Sequence, residues 1–162
     1  LTYADIAILK LSSLGDIIHT LPAFNLLRTR YPDAKISWIV EPAGAKLLEN
    51  FTGIDEIIII HLKAPTLANK FKEVRRIIRR YKNRFDLIFD FQGLLKSAVL
   101  SYLLKSYVVG FNKRNLREPA ARFLYGKRAD IFDENNNVIY KNIHLANSVG
   151  DSAAQAAAPE TP

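Results

Sequence analysis

Short apolar runs alternate with segments of helical period along nearly the whole chain, and few folds accept that order. Residues 6–11, 35–40, 56–61, 86–91 and 107–111 are runs of strand length rich in Ile, Val and Phe. Nearly continuous apolarity, as opposed to strict alternation, suits a strand covered on both faces. Between them lie helical segments at 16–31, 43–51, 69–84 and 93–105, with a short helix expected from Pro119 and another over 142–149. Pro22 interrupts the first of these, which predicts a restart with Thr20 as a cap. Repeated strand–helix–strand units imply an α/β fold: a Rossmann-like parallel sheet, wound right-handed, with helices on both faces. Ligands of such sheets sit outside the carboxyl ends of the strands. Here those ends are the loops 12–16, 41–44, 62–65, 92–93 and 112–118.

With 162 residues, the chain has room for one domain and one core. The domain is expected over 1–150, and the Ala- and Pro-rich stretch 151–162, which has no apolar period, reads as a disordered tail. The opening run reads as a strand and not a signal peptide, and no apolar run reaches the roughly 20 residues that cross a bilayer. The chain has no cysteine, so it carries no disulfide framework and no thiolate metal site, and a cytoplasmic location is the simplest expectation. Its 23 basic and 16 acidic residues leave a charge of +7. That surplus favours anionic partners: nucleic acid, acidic lipid head groups or phosphorylated substrates.

The loop after the first strand reads Ser12-Ser13-Leu14-Gly15-Asp16 and leads straight into a helix. Small residues allow a tight turn, and free N–H groups at a helix start favour anions. Neither the dinucleotide fingerprint G-x-G-x-x-G nor the phosphate loop G-x-x-x-x-G-K-[ST] is present. Asp16 has two readings: a helix cap contributing about 1 kcal/mol, or a general base taking a proton from a hydroxyl. His19, one turn on, could share a hydrogen bond with Asp16 or be a satisfied buried histidine. Gln92 at a strand end could bond a sugar hydroxyl, while Gly93 beside it reads as a backbone necessity. Lys96 is either solvated or turned to the site. Lys113, Arg114 and Arg117 share one loop near Arg122, and a planar Arg fork suits carboxylate or phosphate. In the helix 69–84, Phe71, Val74, Ile77, Ile78 and Tyr81 form one apolar stripe among Lys and Arg. Its basic side is either solvated or rests on anionic lipid.

Three stretches, in this order, resemble the ADP-heptose:lipopolysaccharide heptosyltransferases, glycosyltransferase family 9. They are KLSSLGDIIHTLPA at 10–23, DFQGLLKSA at 90–98 and REPAARFLY at 117–125, with Val40-Glu41 fitting as well. The resemblance covers about residues 6–125 and is nearest to the type that adds the first heptose to the Kdo sugar of lipid A. It implies the acceptor-binding N-terminal half of a two-domain GT-B enzyme and an inverting, metal-independent transfer from ADP-heptose, with no cofactor. It implies Asp16 as catalytic base and Arg117 as a grip on the anionic acceptor. Ser12, Ser13, Gly15, His19, Gln92, Lys96 and Arg114 complete the expected acceptor site. The expected partners are Kdo-lipid A, ADP-heptose and the anionic face of the inner membrane, where the protein would sit peripherally, with no role for nucleic acid. The family's sugar-nucleotide domain has no counterpart in these residues, so the chain alone is expected to bind acceptor without turnover. An H-x-V-x-R-like segment of the family here reads His144-Leu145-Ala146-Asn147-Ser148, without its arginine. The rival reading is a basic Rossmann-like module that binds membrane or nucleic acid without catalysis; it has no use for an aspartate in the first loop.

Overall fold

The computed structural model describes residues 3–129 and 137–149, so the expected tail at 151–162 lies outside the described residues. Six strands form one sheet: β1 (Asp5–Leu9), β2 (Lys35–Val40), β3 (Glu56–Ile59), β4 (Leu87–Asp90), β5 (Tyr107–Gly110) and β6 (Lys127–Arg128). They run in the order β3-β2-β1-β4-β5-β6, every neighbouring pair parallel. All five expected strands are present. The sixth pairs only two residues with β5 and is too short to leave a period in the sequence.

The helices are α1 (Leu14–Ile18), α2 (Leu21–Arg30), α3 (Pro42–Leu48), α4 (Leu67–Tyr81), α5 (Leu95–Leu103) and α6 (Val138–Asn147). The sheet grows from β1 through β2 to β3, then jumps back over β1 to β4 and continues outward. With right-handed crossovers, that reversal puts the helices of the first half on one face and α4 and α5 on the other. Packing agrees: α1 meets α3, α6 meets α2, and α5 meets α4 and a 3-10 helix, Pro119–Leu124.

Local sequence explains the breaks. The expected restart at Pro22 divides one helical segment into α1 and α2, with Thr20 in the cap position. The Thr20 hydroxyl does not cap α2, however; it donates to the Asp16 carbonyl at 2.8 Å and accepts from Asn142 Nδ2 of α6 at 3.1 Å. The segment after Pro119 is 3-10 and not α, and a second 3-10 turn, Lys113–Asn115, occupies the basic loop.

The core lies on both sides of β1, β2 and β4. Ile6, Ile8, Leu9, Ile36, Trp38, Ile39 and Phe89 are wholly enclosed, and each such side chain contributes about 1.5–3 kcal/mol by leaving water. Phe24 of α2 packs on Trp38 with ring centroids 6.0 Å apart. The apolar stripe of α4 behaves differently along its length. Ile77 and Tyr81 are buried, but Phe71 is exposed, because no described element covers the start of that helix.

Candidate functional site

β1 and β4 lie side by side, yet the chain leaves them toward opposite edges of the sheet. That is a topological switch point, and a crevice opens at the carboxyl ends of such a strand pair. The loops that meet there are stitched together. Gln92 Oε1 accepts from the Leu11 N–H at 2.9 Å and the Ser12 N–H at 3.2 Å, and Lys10 Nζ donates to the Phe91 carbonyl at 3.0 Å. Beneath them Asp90 is fully enclosed. Its Oδ1 accepts from the Gln92 and Gly93 N–H groups at 2.9 and 3.2 Å. Its Oδ2 accepts from Ser97 Oγ and Tyr125 Oη, each at 2.8 Å. Burial pushes the Asp90 carboxyl above its ordinary range, against the pull of those four bonds. Gly93 turns the chain at φ +67°, a region L side chains rarely adopt, so its expected backbone role holds.

Asp16 stands in the first turn of α1. Its Oδ2 accepts from both the Ser13 N–H and the Ser13 hydroxyl, each at 3.3 Å, so the carboxylate reaches back over the start of its own helix. Among the described residues, both of its side-chain bonds fall on that one oxygen. α1 spans only five residues, so the anion-favouring field expected of a long helix is weak here. The helix is instead held by packing. Gly44 of α3 sits so close to Ile17 and Val40 that a Cβ there would collide with both.

Lys10 links the parts electrostatically. Burial lowers its ammonium pKa, Asp16 and Asp90 pull it back up, and the Arg117 guanidinium lowers it again. All three charges therefore act on one lysine at the carboxyl edge. Arg117 is exposed and has no ion-pair partner among the described residues, unlike Arg28, Arg76 and Arg84. Glu118 anchors the same loop by accepting from the Leu95 N–H at the start of α5.

The other expected residues divide. Ser12 is tied to Gln92, Ser13 to Asp16, and Gly15 is exposed with open space where a side chain would project. Gln92 is buried, and its side-chain carbonyl is occupied by the first loop, so any bond to a sugar falls to the amide nitrogen of that side chain. His19 does not bond Asp16: its carbonyl accepts from Asn142 Nδ2 at 3.0 Å and its Nδ1 is buried without a partner. The expected cluster of cations is split. Arg117 and Lys96 line a groove beside α5, while Lys113 and Arg122 line a separate hollow with Lys127 and Arg128. Arg114 is exposed on the 3-10 turn between them. Among the described residues, no three His, Asp or Glu side chains converge as a metal site, and no helix is long and apolar enough to cross a membrane.

Sequence reasoning assigned no role to Lys10, Asp90, Ser97 or Tyr125. For the first two a signal existed: each is a charge beside or inside a run of residues buried on both faces, where an ion survives only if hydrogen-bonded. Ser97 and Tyr125 have no such mark, since their partner is brought to them only by the fold.

The sequence profile of glycosyltransferase family 9 (heptosyltransferase) matches residues 74–161. Lipopolysaccharide heptosyltransferase 1 of Campylobacter coli is 32% identical over 140 residues, which cover 86% of this chain and 40% of that protein. The protein of the same description from Pseudomonas aeruginosa is 36% identical over 128 residues, covering 74% of this chain and 36% of its own length. Among solved structures, E. coli heptosyltransferase WaaC with ADP-2-deoxy-2-fluoro heptose superposes with a TM-score of 0.79 at 27% identity, over 98% of this chain and 50% of that one. The chain thus spans about half the length, or less, of the proteins it matches.

Proposed function

The chain belongs to glycosyltransferase family 9, the heptosyltransferases, and on that premise we propose that it is the acceptor-binding half of a GT-B transferase. The whole enzyme would act in lipopolysaccharide synthesis, moving heptose from ADP-heptose to the Kdo of lipid A. The observation that carries the reading is Asp16 at the switch point, with one carboxylate oxygen held by Ser13, and Arg117, without an ion-pair partner among the described residues, acting on the same Lys10.

In the proposed reaction the Asp16 carboxylate takes the proton of a Kdo hydroxyl. The freed oxygen attacks the anomeric carbon of the heptose as that carbon's bond to the diphosphate oxygen breaks. ADP leaves from the opposite side, so the configuration inverts. Arg117 grips a carboxylate or phosphate of the acceptor, with Lys96 and Arg114 as further cations near its path. The loop from the half-buried Ser12 to the exposed Ser13 and Gly15 lines the approach, the Gln92 amide offers a donor, and His19 follows that loop at the end of α1. The donor nucleotide would be held chiefly by a second domain beyond residue 150, so residues 1–150 alone bind acceptor without transfer. Because the acceptor is a lipid, the remaining partner is an anionic membrane surface, met through the cations of α4, with the protein on its cytoplasmic side.

The test is Asp16→Asn in this domain joined to a matching sugar-nucleotide domain. Asp16 is the third helical residue after the cap Ser13, and an asparagine there presents an oxygen to the Ser13 N–H much as aspartate does, as an amide can in a capping box. An amide cannot accept the hydroxyl proton. Melting and acceptor affinity should stay near wild type while turnover falls by about 10²–10⁴-fold. Turnover within a few-fold of wild type would return Asp16 to the role of a cap.

A further inference from the structure

α4 and α5 leave a groove of about 1360 Å³ between them. Leu67 and Phe71 at the start of α4 are 81% and 80% exposed, and Leu95, Val99 and Leu103 of α5 are exposed along the other wall. An exposed patch of this continuity marks an interaction surface. Its rim is cationic: Lys70, Arg75, Lys96 and Arg117 line it, and none has an ion-pair partner among the described residues. The acids near it are already engaged, Glu73 by Arg76 at 2.9 Å and Glu118 by the Leu95 N–H.

From this arrangement we propose that the α4–α5 groove docks on an anionic lipid bilayer, with Leu67 and Phe71 entering the acyl layer and the four rim cations meeting lipid phosphates. Apolar side chains ringed by Lys and Arg match the two layers of such a surface, headgroups outside and hydrocarbon within. A nucleic acid would satisfy the cations and leave the aliphatic walls in water. A second copy of the chain would set one cationic rim against another, which repels. This deepens the membrane partner named above and rests on it, and it identifies the surface as the groove and not the outer cations of α4. Arg117 belongs to both the rim and the proposed acceptor site, so docking here would bring a lipid-borne acceptor to the loop beside Asp16.

The experiment is co-sedimentation of this chain with vesicles of phosphatidylglycerol and phosphatidylcholine, against phosphatidylcholine alone, with no acceptor or sugar nucleotide present. Wild type should bind the anionic vesicles. The double variant Leu67→Ser, Phe71→Ser should bind them about tenfold more weakly or worse, with melting unchanged because both side chains stand in solvent. In a parallel arm, Phe71→Trp should shift its emission to the blue on anionic vesicles, read against Trp38, the native tryptophan, which is buried. If wild type binds but the double variant binds equally, while Arg79→Glu with Arg80→Glu abolishes binding, the membrane partner stands and the groove is overturned. Failure of wild type to bind overturns both. A concentration-dependent dimer that Leu67→Ser and Phe71→Ser dissolve would assign the groove to a second copy and also overturn the proposal.

Discussion

The Asp16 carboxylate is engaged on one side only: Oδ2 takes both bonds from Ser13, while no described residue bonds Oδ1. A capping acid and a proton acceptor are therefore compatible at this position, and the two readings the sequence leaves open need not exclude each other. Arg117 has the simpler position. It is exposed, free of carboxylates and close enough to depress Lys10. Arg117→Ala is expected to weaken binding of a Kdo-bearing acceptor by about 1–3 kcal/mol through loss of a charge-assisted bond. Melting should not change, since the side chain is exposed and has no ion-pair partner among the described residues. Calorimetry at physiological salt measures this, and equal affinity would remove Arg117 from the site. Asp16 and Arg117 are proposed from motifs of the family, the first of them long and specific. The suggested bond between His19 and Asp16 was not realised. One-turn spacing allows a contact but does not require it, and Ser13, three residues before Asp16 as His19 is three after it, took the carboxylate instead.

Among the elements, strands were the most legible, because a run buried on both faces has little freedom in sequence. Helix ends were less so. Pro22 announced a break, but Asn142 of α6 competes for the Thr20 hydroxyl from 122 residues away, and no local pattern reports that. The outer edge of the sheet carries its own electrostatic tie. Glu56 of β3 accepts from Arg84 at 2.6 Å and from the Tyr81 hydroxyl at 3.1 Å, with Lys35 of β2 at 3.3 Å. The Arg84 bond, aided by Lys35 and Tyr81, holds the Glu56 carboxyl down at about 2, from an ordinary value of 4.5. A depressed carboxylate contributes stability above its unfolded pKa and loses it as pH falls through the folded one. The contribution should therefore be intact above about pH 4.5 and gone below about pH 2. Solvent screens this half-buried pair, so the expected size is about 1–2 kcal/mol, below what the full shift implies. Urea unfolding of wild type and Glu56→Gln checks it. The variant should be less stable at pH 7 and converge on wild type toward pH 2, and a constant difference across that range would refute the linkage.

At the scale of the whole molecule, the reversal of strand order between β1 and β4 brings residues 10–16 and 90–93 together, and the Asp90 network fixes the second loop under the first. The alternating pattern implied a parallel sheet, but it could not give the full strand order, nor show that the start of α4 would stay bare beside α5. Those depend on crossovers and on side chains meeting across the fold. The proposed division of labour is that this domain holds the acceptor and the sugar nucleotide is held elsewhere. The direct measurement is calorimetry of this chain, in one buffer at physiological salt, titrated separately with a soluble Kdo-bearing acceptor and with ADP-heptose. Saturable heat is expected with the acceptor and none with ADP-heptose at matched concentrations. Saturable binding of ADP-heptose without binding of the acceptor would contradict it.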